Sequence, residues 1–218
     1  MQKILIIALL LIAINAQGQG LPVPANATLA SLFPDENLRV SVAGLLEADA
    51  NLIGQALSDA LAGIEVLRAR YRGIKDSTGI EYLIGLINLD LWGNQLINFS
   101  GNSLINLQEL WLHGNPLTKI DVSNNINLIE LGISGTELVA IDLNNLINLQ
   151  RLVAASNRQL TSLDVSNLIN LISLDLRYTG IPVINISNLT KLTYYFVEVS
   201  PVLLGADNAP NLTVIITQ

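Results

Sequence analysis

Residues Leu86–Leu96 read LINLDLWGNQL, Leu107–Leu117 read LQELWLHGNPL and Leu128–Leu138 read LIELGISGTEL. The shared phrase, L-x-x-L-x-L-x-x-N-x-L, continues at Leu149–Leu160 (LQRLVAASNRQL, one residue longer) and Leu171–Ile181 (LISLDLRYTGI). A degenerate copy precedes them at Ile64–Ile74 (IEVLRARYRGI), and two fading copies begin at Leu192 (LTYYFVEV) and Leu212 (LTVIIT). The copies start at 64, 86, 107, 128, 149, 171, 192 and 212, so one unit takes 20 to 22 residues. A fixed period of this length marks a solenoid, in which each unit buries its apolar side only against its neighbours.

Inside each unit the L-x-L alternation is the strand period of two, which turns the Leu side chains to one side. A weaker second phrase follows it: LTKIDV at Leu117, LVAIDL at Leu138, LTSLDV at Leu160 and IPVINI at Ile181. One coil therefore holds two extended segments and is too short for a strand–helix–strand unit with a full helix. At about 4.8 Å per coil the stack is on the order of 40 Å long.

Composition agrees. Of 218 residues 50% are hydrophobic, but only 5% are aromatic and 13% charged. That aliphatic content rules out a disordered chain. A net charge of −7, from 11 Lys and Arg against 18 Asp and Glu, argues against nucleic acid as a partner. The absence of Cys excludes disulfide scaffolds, thiolate metal sites and cysteine nucleophiles. A single His excludes any site needing two imidazoles, and no cofactor is expected.

The N-terminus, MQKILIIALLLIAINAQGQG, carries Lys3, an apolar run from Ile4 to Ala13, and then Ala16-Gln17-Gly18. It reads as a secretory signal over residues 1–18, cleaved after small residues, because the run is short of the roughly 20 residues that span a bilayer. The expected location is therefore secreted or cell-surface, with no membrane insertion after cleavage. Residues 19–32, with Pro22 and Pro24, read as an extended leader. Residues 33–62 read as a helical cap: Asp35 can cap a helix with Leu38, Val42, Leu45 and Leu46 on one face. A second helix is expected over Ala50–Leu61, with Ile53, Ala56, Leu57 and Leu61 inward. The array then occupies residues 63–218, about seven to eight coils.

The phrase resembles the leucine-rich repeat in its short bacterial form of 21 to 22 residues. Gly73–Leu91 (GIKDSTGIEYLIGLINLDL) resembles the internalin-like variety, and Phe33–Leu46 (FPDENLRVSVAGLL) resembles the helical cap that opens such arrays. Thr136 and Thr179 depart from the pattern where that family has Asn. The resemblance implies an α/β solenoid, mostly β: a right-handed coil with a parallel β-sheet on its concave face and an N-terminal helical cap. It implies little about function.

Three Asn columns recur: Asn106, Asn127, Asn148 and Asn170; Asn124, Asn145, Asn167 and Asn188; Asn94, Asn115 and Asn157. An amide both donates and accepts, so stacked Asn can satisfy the backbone of tight turns. Asp121, Asp142 and Asp164, followed by Asn185, form a fourth column. Stacked carboxylates repel and need water, backbone donors or a cation. A solvated ladder is the expectation and calcium the alternative, since each coil offers only one acid.

The non-Leu positions of each L-x-L strand point away from the stack and define the face available to a partner. They bring Asp90 and Trp92 together with Glu109, Trp111 and His113, then Glu130, Arg151, Asp175, Arg177, Tyr194 and Phe196. Outward Trp residues on adjacent coils are typical interface anchors. The competing reading is that these rings merely lie on neighbouring aliphatic stems. An extended surface suits a macromolecule, so a protein of a host or envelope surface is the expected partner and a glycan the alternative. An enzyme reading, a polysaccharide-active β-solenoid using Asp90 and Glu109, needs a cleft and two carboxylates in different environments, whereas the outward acids are spread singly over the array, and Ser134 is a coil away from completing a triad with His113. The chain is therefore expected to be non-catalytic.

Overall fold

A computed structural model of the chain describes residues 22–46, 52–198, 202–209 and 211–216. The signal read at 1–18 lies outside the described residues. The described part is a solenoid built on one sheet of eight parallel strands, each from a successive coil. These are β1 (Val66–Arg68), β2 (Asn88–Asp90), β4 (Glu109–Trp111), β6 (Glu130–Gly132), β7 (Arg151–Val153), β8 (Ser173–Asp175), β10 (Tyr194–Val197) and β12 (Thr213–Ile216).

The second phrase of each coil forms a discontinuous opposite side. There β3 (Asn98–Ser100) pairs with β5 (Lys119–Asp121), and β9 (Val183–Asn185) pairs with β11 (Val202–Leu204). Residues 140–142 and 162–164, in the coils between, form no strand. An unbroken ladder holds one side of every coil at strand spacing while the other side splays, which places the eight-stranded sheet on the inner arc.

The register stacks like on like. Leu67, Leu89, Leu110, Leu131, Leu152 and Leu174 stand side by side, all fully buried, and Tyr195 continues the column. The last coil departs from the sequence spacing. Leu212 makes the same turn bond to Ala209 O that Leu192 makes to Leu189 O. One residue is then missing before the strand, so Thr213 pairs with Tyr194 and Val214 with Tyr195. Because side chains alternate, that shift puts Val214 rather than Ile215 in the inward column.

Helices close the first coil: α1 (Leu29–Leu32), α2 (Glu36–Ala43) and α3 (Gly54–Ala62). Helix begins at Leu29, within the stretch read as an extended leader, because Thr28 and Ser31 form a reciprocal capping pair. Asp35 caps α2 as its sequence implies. One carboxylate oxygen accepts the N–H groups of Asn37 and Leu38, both at 3.0 Å. The other accepts those of Lys75 and Asp76 at 2.8 and 3.2 Å, which ties the cap to the array. Burial raises its pKa, but these four backbone donors more than offset it and hold the carboxyl below its ordinary value.

Leu38 and Val42 are buried as expected, but Leu45 is exposed, because α2 ends at Ala43 with Gly44 as its C-cap. Likewise α3 starts only at Gly54. Leu57 and Leu61 are buried, whereas Ile53 stands before the first turn and both it and Ala56 are exposed.

Candidate binding face

The Asn columns prove to be turn architecture. Asn94, Asn115 and Asn157 are buried, and each Nδ2 donates to a carbonyl of its own coil and one of the coil before, with a longer third bond from Asn115 to His113 O at 3.5 Å. Their Oδ1 atoms accept backbone N–H groups of the preceding coil. At the first departure from the pattern, Thr136 cannot donate twice to carbonyls. Its N–H and hydroxyl instead both donate to Asn157 Oδ1, at 2.9 and 2.6 Å. In the Asp column, Asp121, Asp142 and Asp164 each accept the N–H two residues on, and Asn185 does the same. The Ser166 N–H and hydroxyl keep Asp164 below its ordinary pKa. For Asp121 burial acts upward, but the Ser123 and Asn102 hydrogen bonds prevail. Among the described residues no three acidic or imidazole groups converge as a metal site would require.

The concave face divides into two parts. Over the first coils lies a chain of rings: Tyr71 and Trp92 with centroids 6.2 Å apart, Trp92 edge-on to His113 at 5.1 Å, and Trp111 tilted on His113 at 5.5 Å. Trp92 is 38% exposed and Trp111 half-buried. The cluster exists because Trp111 pairs across the sheet with Gly132. A Cβ there would collide with both the Trp111 ring and the His113 imidazole, so the missing side chain is the floor on which the two rings rest.

The ring column adjoins a conformational one. Tyr71, Gly93, Gly114, Gly135, Ser156 and Tyr178 occupy the same place in successive coils and all have φ between 55° and 70°. In this left-handed region an L side chain is disfavoured, so Gly fills it in the middle coils. Gly93 also leaves space for the Tyr71 ring, which a Cβ would strike.

His113 is buried, unlike the solvent-facing residue the alternation implies, because Trp92 and Trp111 cover it. Its Nδ1 accepts the Ser134 N–H at 2.9 Å, which requires that nitrogen to be unprotonated. Burial is the main cause of its lowered pKa. Asp90 and Asp175 act upward against that, Arg151 and Arg70 downward with it.

Asp90 and Asp175 are also buried rather than presented to solvent, since each is covered by an arginine. Arg70 pairs with Asp90, and Arg177 grips Asp175 at 2.6 and 2.9 Å. Each of these arginines then lies over a ring, Arg70 over Trp92 at 5.4 Å and Arg177 over Phe196 at 5.6 Å. Arg151 repeats the arrangement, 3.7 Å from Glu130 and 5.8 Å over Trp111. Glu109 accepts from the Asn88 amide and remains half-exposed, as does Glu130. Tyr194 is exposed, four coils beyond Trp111.

The structure thus brings Trp92, Trp111, His113, Asp90, Glu109, Glu130 and Arg151 into one area and sets Asp175, Arg177, Tyr194 and Phe196 in a second. Tyr71, Arg70 and Gly132 belong to the first area although sequence reasoning did not assign them to the site. The column position of Tyr71, in the degenerate first copy, was the available signal.

No family model matches the sequence, and no curated protein sequence does either. Solved structures do. An internalin of Listeria monocytogenes (InlF) is 24% identical with a TM-score of 0.61, over 90% of this chain and 65% of that one. Internalin C2 of the same species is 25% identical with a TM-score of 0.69, over 89% and 88%. A leucine-rich-repeat protein of Leptospira interrogans is 24% identical with a TM-score of 0.64, over 76% and 45%. The chain therefore spans less than two thirds of the length of the first and third. The fold is a leucine-rich-repeat solenoid. Within that class it is internalin-like, with a helical N-terminal cap and the continuous parallel sheet on the inner arc.

Proposed function

We propose that this chain is an exported, non-catalytic binding protein whose concave face grips a protein partner of a host or envelope surface. The observation that carries the reading is the ring cluster of Tyr71, Trp92, His113 and Trp111, set on a rigid sheet with the Trp92 ring still open to solvent. Rigid aromatic anchors cost little entropy to order and supply most of the energy in such contacts. Arg70 and Arg151 are already fixed over these rings, so a partner meets a preorganised surface. Glu109 and Glu130 keep carboxylate oxygens for basic groups of the partner.

Two further solved chains with this fold have binding partners in view. One is Toll, solved with Spatzle (18% identity, TM-score 0.55), and another is TLR13, solved with single-stranded RNA (27%, 0.52). The fold alone therefore serves both kinds of ligand, and the net charge of −7 favours a protein here. Export rests on the Lys3-led apolar N-terminus. The non-catalytic reading rests on the engagement of the candidate acid–base groups: Asp90 by Arg70, Asp175 by Arg177, and His113 Nδ1 by Ser134.

The test is a pull-down from host-surface and envelope fractions with wild type and the Trp92→Ala/Trp111→Ala variant. The variant is expected to lose at least about a hundredfold in affinity for whatever wild type captures, with unchanged far-UV circular dichroism. Equal capture by both proteins would refute the assignment of the face.

A further inference from the structure

One well-formed cavity of the described residues lies away from the tryptophans. It is a groove of about 800 Å³ along the flank of the stack, from Gly63 to Asn170, immediately before the N-terminal ends of the main strands. One wall is the column Gly85, Asn106, Asn127, Asn148 and Asn170; the other alternates Ile87, Gln108, Ile129 and Gln150. Glu65 is its single ionisable side chain.

The Asn side chains of the groove use only part of their hydrogen-bonding capacity. Asn106, Asn127 and Asn148 donate from Nδ2 to the Ile84, Ile105 and Ile126 carbonyls of the preceding coil at 2.9–3.0 Å. Their Oδ1 atoms, and the side-chain amides of Gln108 and Gln150, bond to nothing else among the described residues. At the far end the next residue of the column, Lys191, donates to Asn170 Oδ1 at 2.6 Å and closes the groove. That contact shows how a donor meets the outward oxygen of this ladder, and it leaves the three preceding oxygens for a ligand.

We propose that the groove binds a neutral, extended β-1,4-linked glycan lying parallel to the solenoid axis. Each coil advances by about 4.8 Å, and each pyranose of such a chain advances by a closely similar length, so one sugar meets one coil. Hydroxyls donate to the Asn oxygens and exchange bonds with the Gln amides, while Ile87 and Ile129 offer apolar ground to the C–H faces of the rings. The near absence of charge fits a neutral polymer rather than an acidic one. An extended peptide fits poorly, because its side chains on one face recur every two residues, about 7 Å, out of step with the coils.

Titration calorimetry with cellohexaose and chitohexaose, beside an acidic oligogalacturonide, tests this. Wild type is expected to bind at least one neutral hexasaccharide and not the acidic one. Gln108→Ala with Gln150→Ala, both exposed and free of internal bonds, is expected to weaken that binding about tenfold, the loss for two unmade hydrogen bonds. The Trp92→Ala/Trp111→Ala variant is expected to bind unchanged, which separates this groove from the concave face. Binding of neither neutral hexasaccharide would overturn the proposal. So would binding that survives loss of the two glutamines or disappears with the two tryptophans.

Discussion

Two sets of side chains join neighbouring coils and differ in what they leave over. Asn94, Asn115 and Asn157 sit where two coils' backbones meet, and their amides saturate groups on both sides. On the concave face, Trp92 of one coil meets Trp111 of the next through His113, but half-buried Trp111 and exposed Trp92 keep ring area that none of the described residues covers. Contact between coils is common to both and distinguishes neither. What separates a structural set from a binding one is whether its interactions are exhausted within the fold.

Asn115→Ala breaks the first set and has the largest expected effect. Leu91 O would keep its bond from Asn94, but the Leu112 carbonyl and the Leu96 N–H would lose their Asn115 side-chain partner. Two buried backbone groups left unpaired, with a cavity beside them, are expected to cost about 3 kcal/mol. A urea midpoint followed by Trp fluorescence measures it. A loss under about 1 kcal/mol would mean that water replaces the amide and that the column is not the frame of the coils.

The ring cluster responds instead to pH. Burial holds the His113 pKa below its ordinary 6.5, and its Nδ1 must stay unprotonated to accept from Ser134. A depressed folded-state pKa means that the unfolded chain binds the proton more readily. His113 therefore contributes stability that is fully present above pH 6.5 and is lost as pH falls from there toward the folded value. The slope cannot exceed that of one proton, about 1.4 kcal/mol per pH unit. Urea unfolding at several values between pH 7 and 5 is expected to show this decline, and His113→Gln to flatten it. An unchanged slope in the variant would remove His113 as the cause.

How much of this was legible follows the same division. The Leu ladder repeats, so strand register up to Tyr195, the two-sided coil and the Asn turns follow from spacing, whereas the one-residue shift of the last strand does not. Asp35 could be read as a cap, but its second pair of donors, Lys75 and Asp76, comes from across the fold and has no local signal. The concave face was legible only as a list of outward positions. Alternation says that Asp90, His113 and Asp175 point away from the core. It does not say that Arg70, two rings and Arg177 cover them, because that burial depends on how side chains fold over one another, both from the neighbouring coil, as Arg70 and Trp92 do, and along the same strand, as Arg177 and Trp111 do. The Gly132 floor is of the same kind: a residue without a side chain acquires its role from what stands next to it. The groove on the flank was read only as a ladder, since the sequence gives no sign of which amide atoms remain free.

Asn125 gives the smallest expected effect and sharpens the contrast, because it stands in neither set. It occupies the place held by Leu104, Leu146, Leu168 and Leu189 in other coils and is fully buried among them. Its Nδ2 donates to the Gly101 and Leu104 carbonyls at 2.8 and 2.7 Å, but its Oδ1 has no partner. Both carbonyls already accept a backbone N–H, from Leu104 and Leu107 respectively. The amide therefore repairs nothing that would otherwise be orphaned, unlike Asn115. Asn125→Leu gives up two redundant bonds, removes a buried unsatisfied oxygen and completes an apolar column. The balance is expected to favour the variant by about 1 kcal/mol, read as a higher urea midpoint at unchanged slope. A lower midpoint would show that the Asn125 amide, like that of Asn115, is needed by the turn it sits in, and that the saturation of neighbouring carbonyls is the wrong measure of an Asn in this fold.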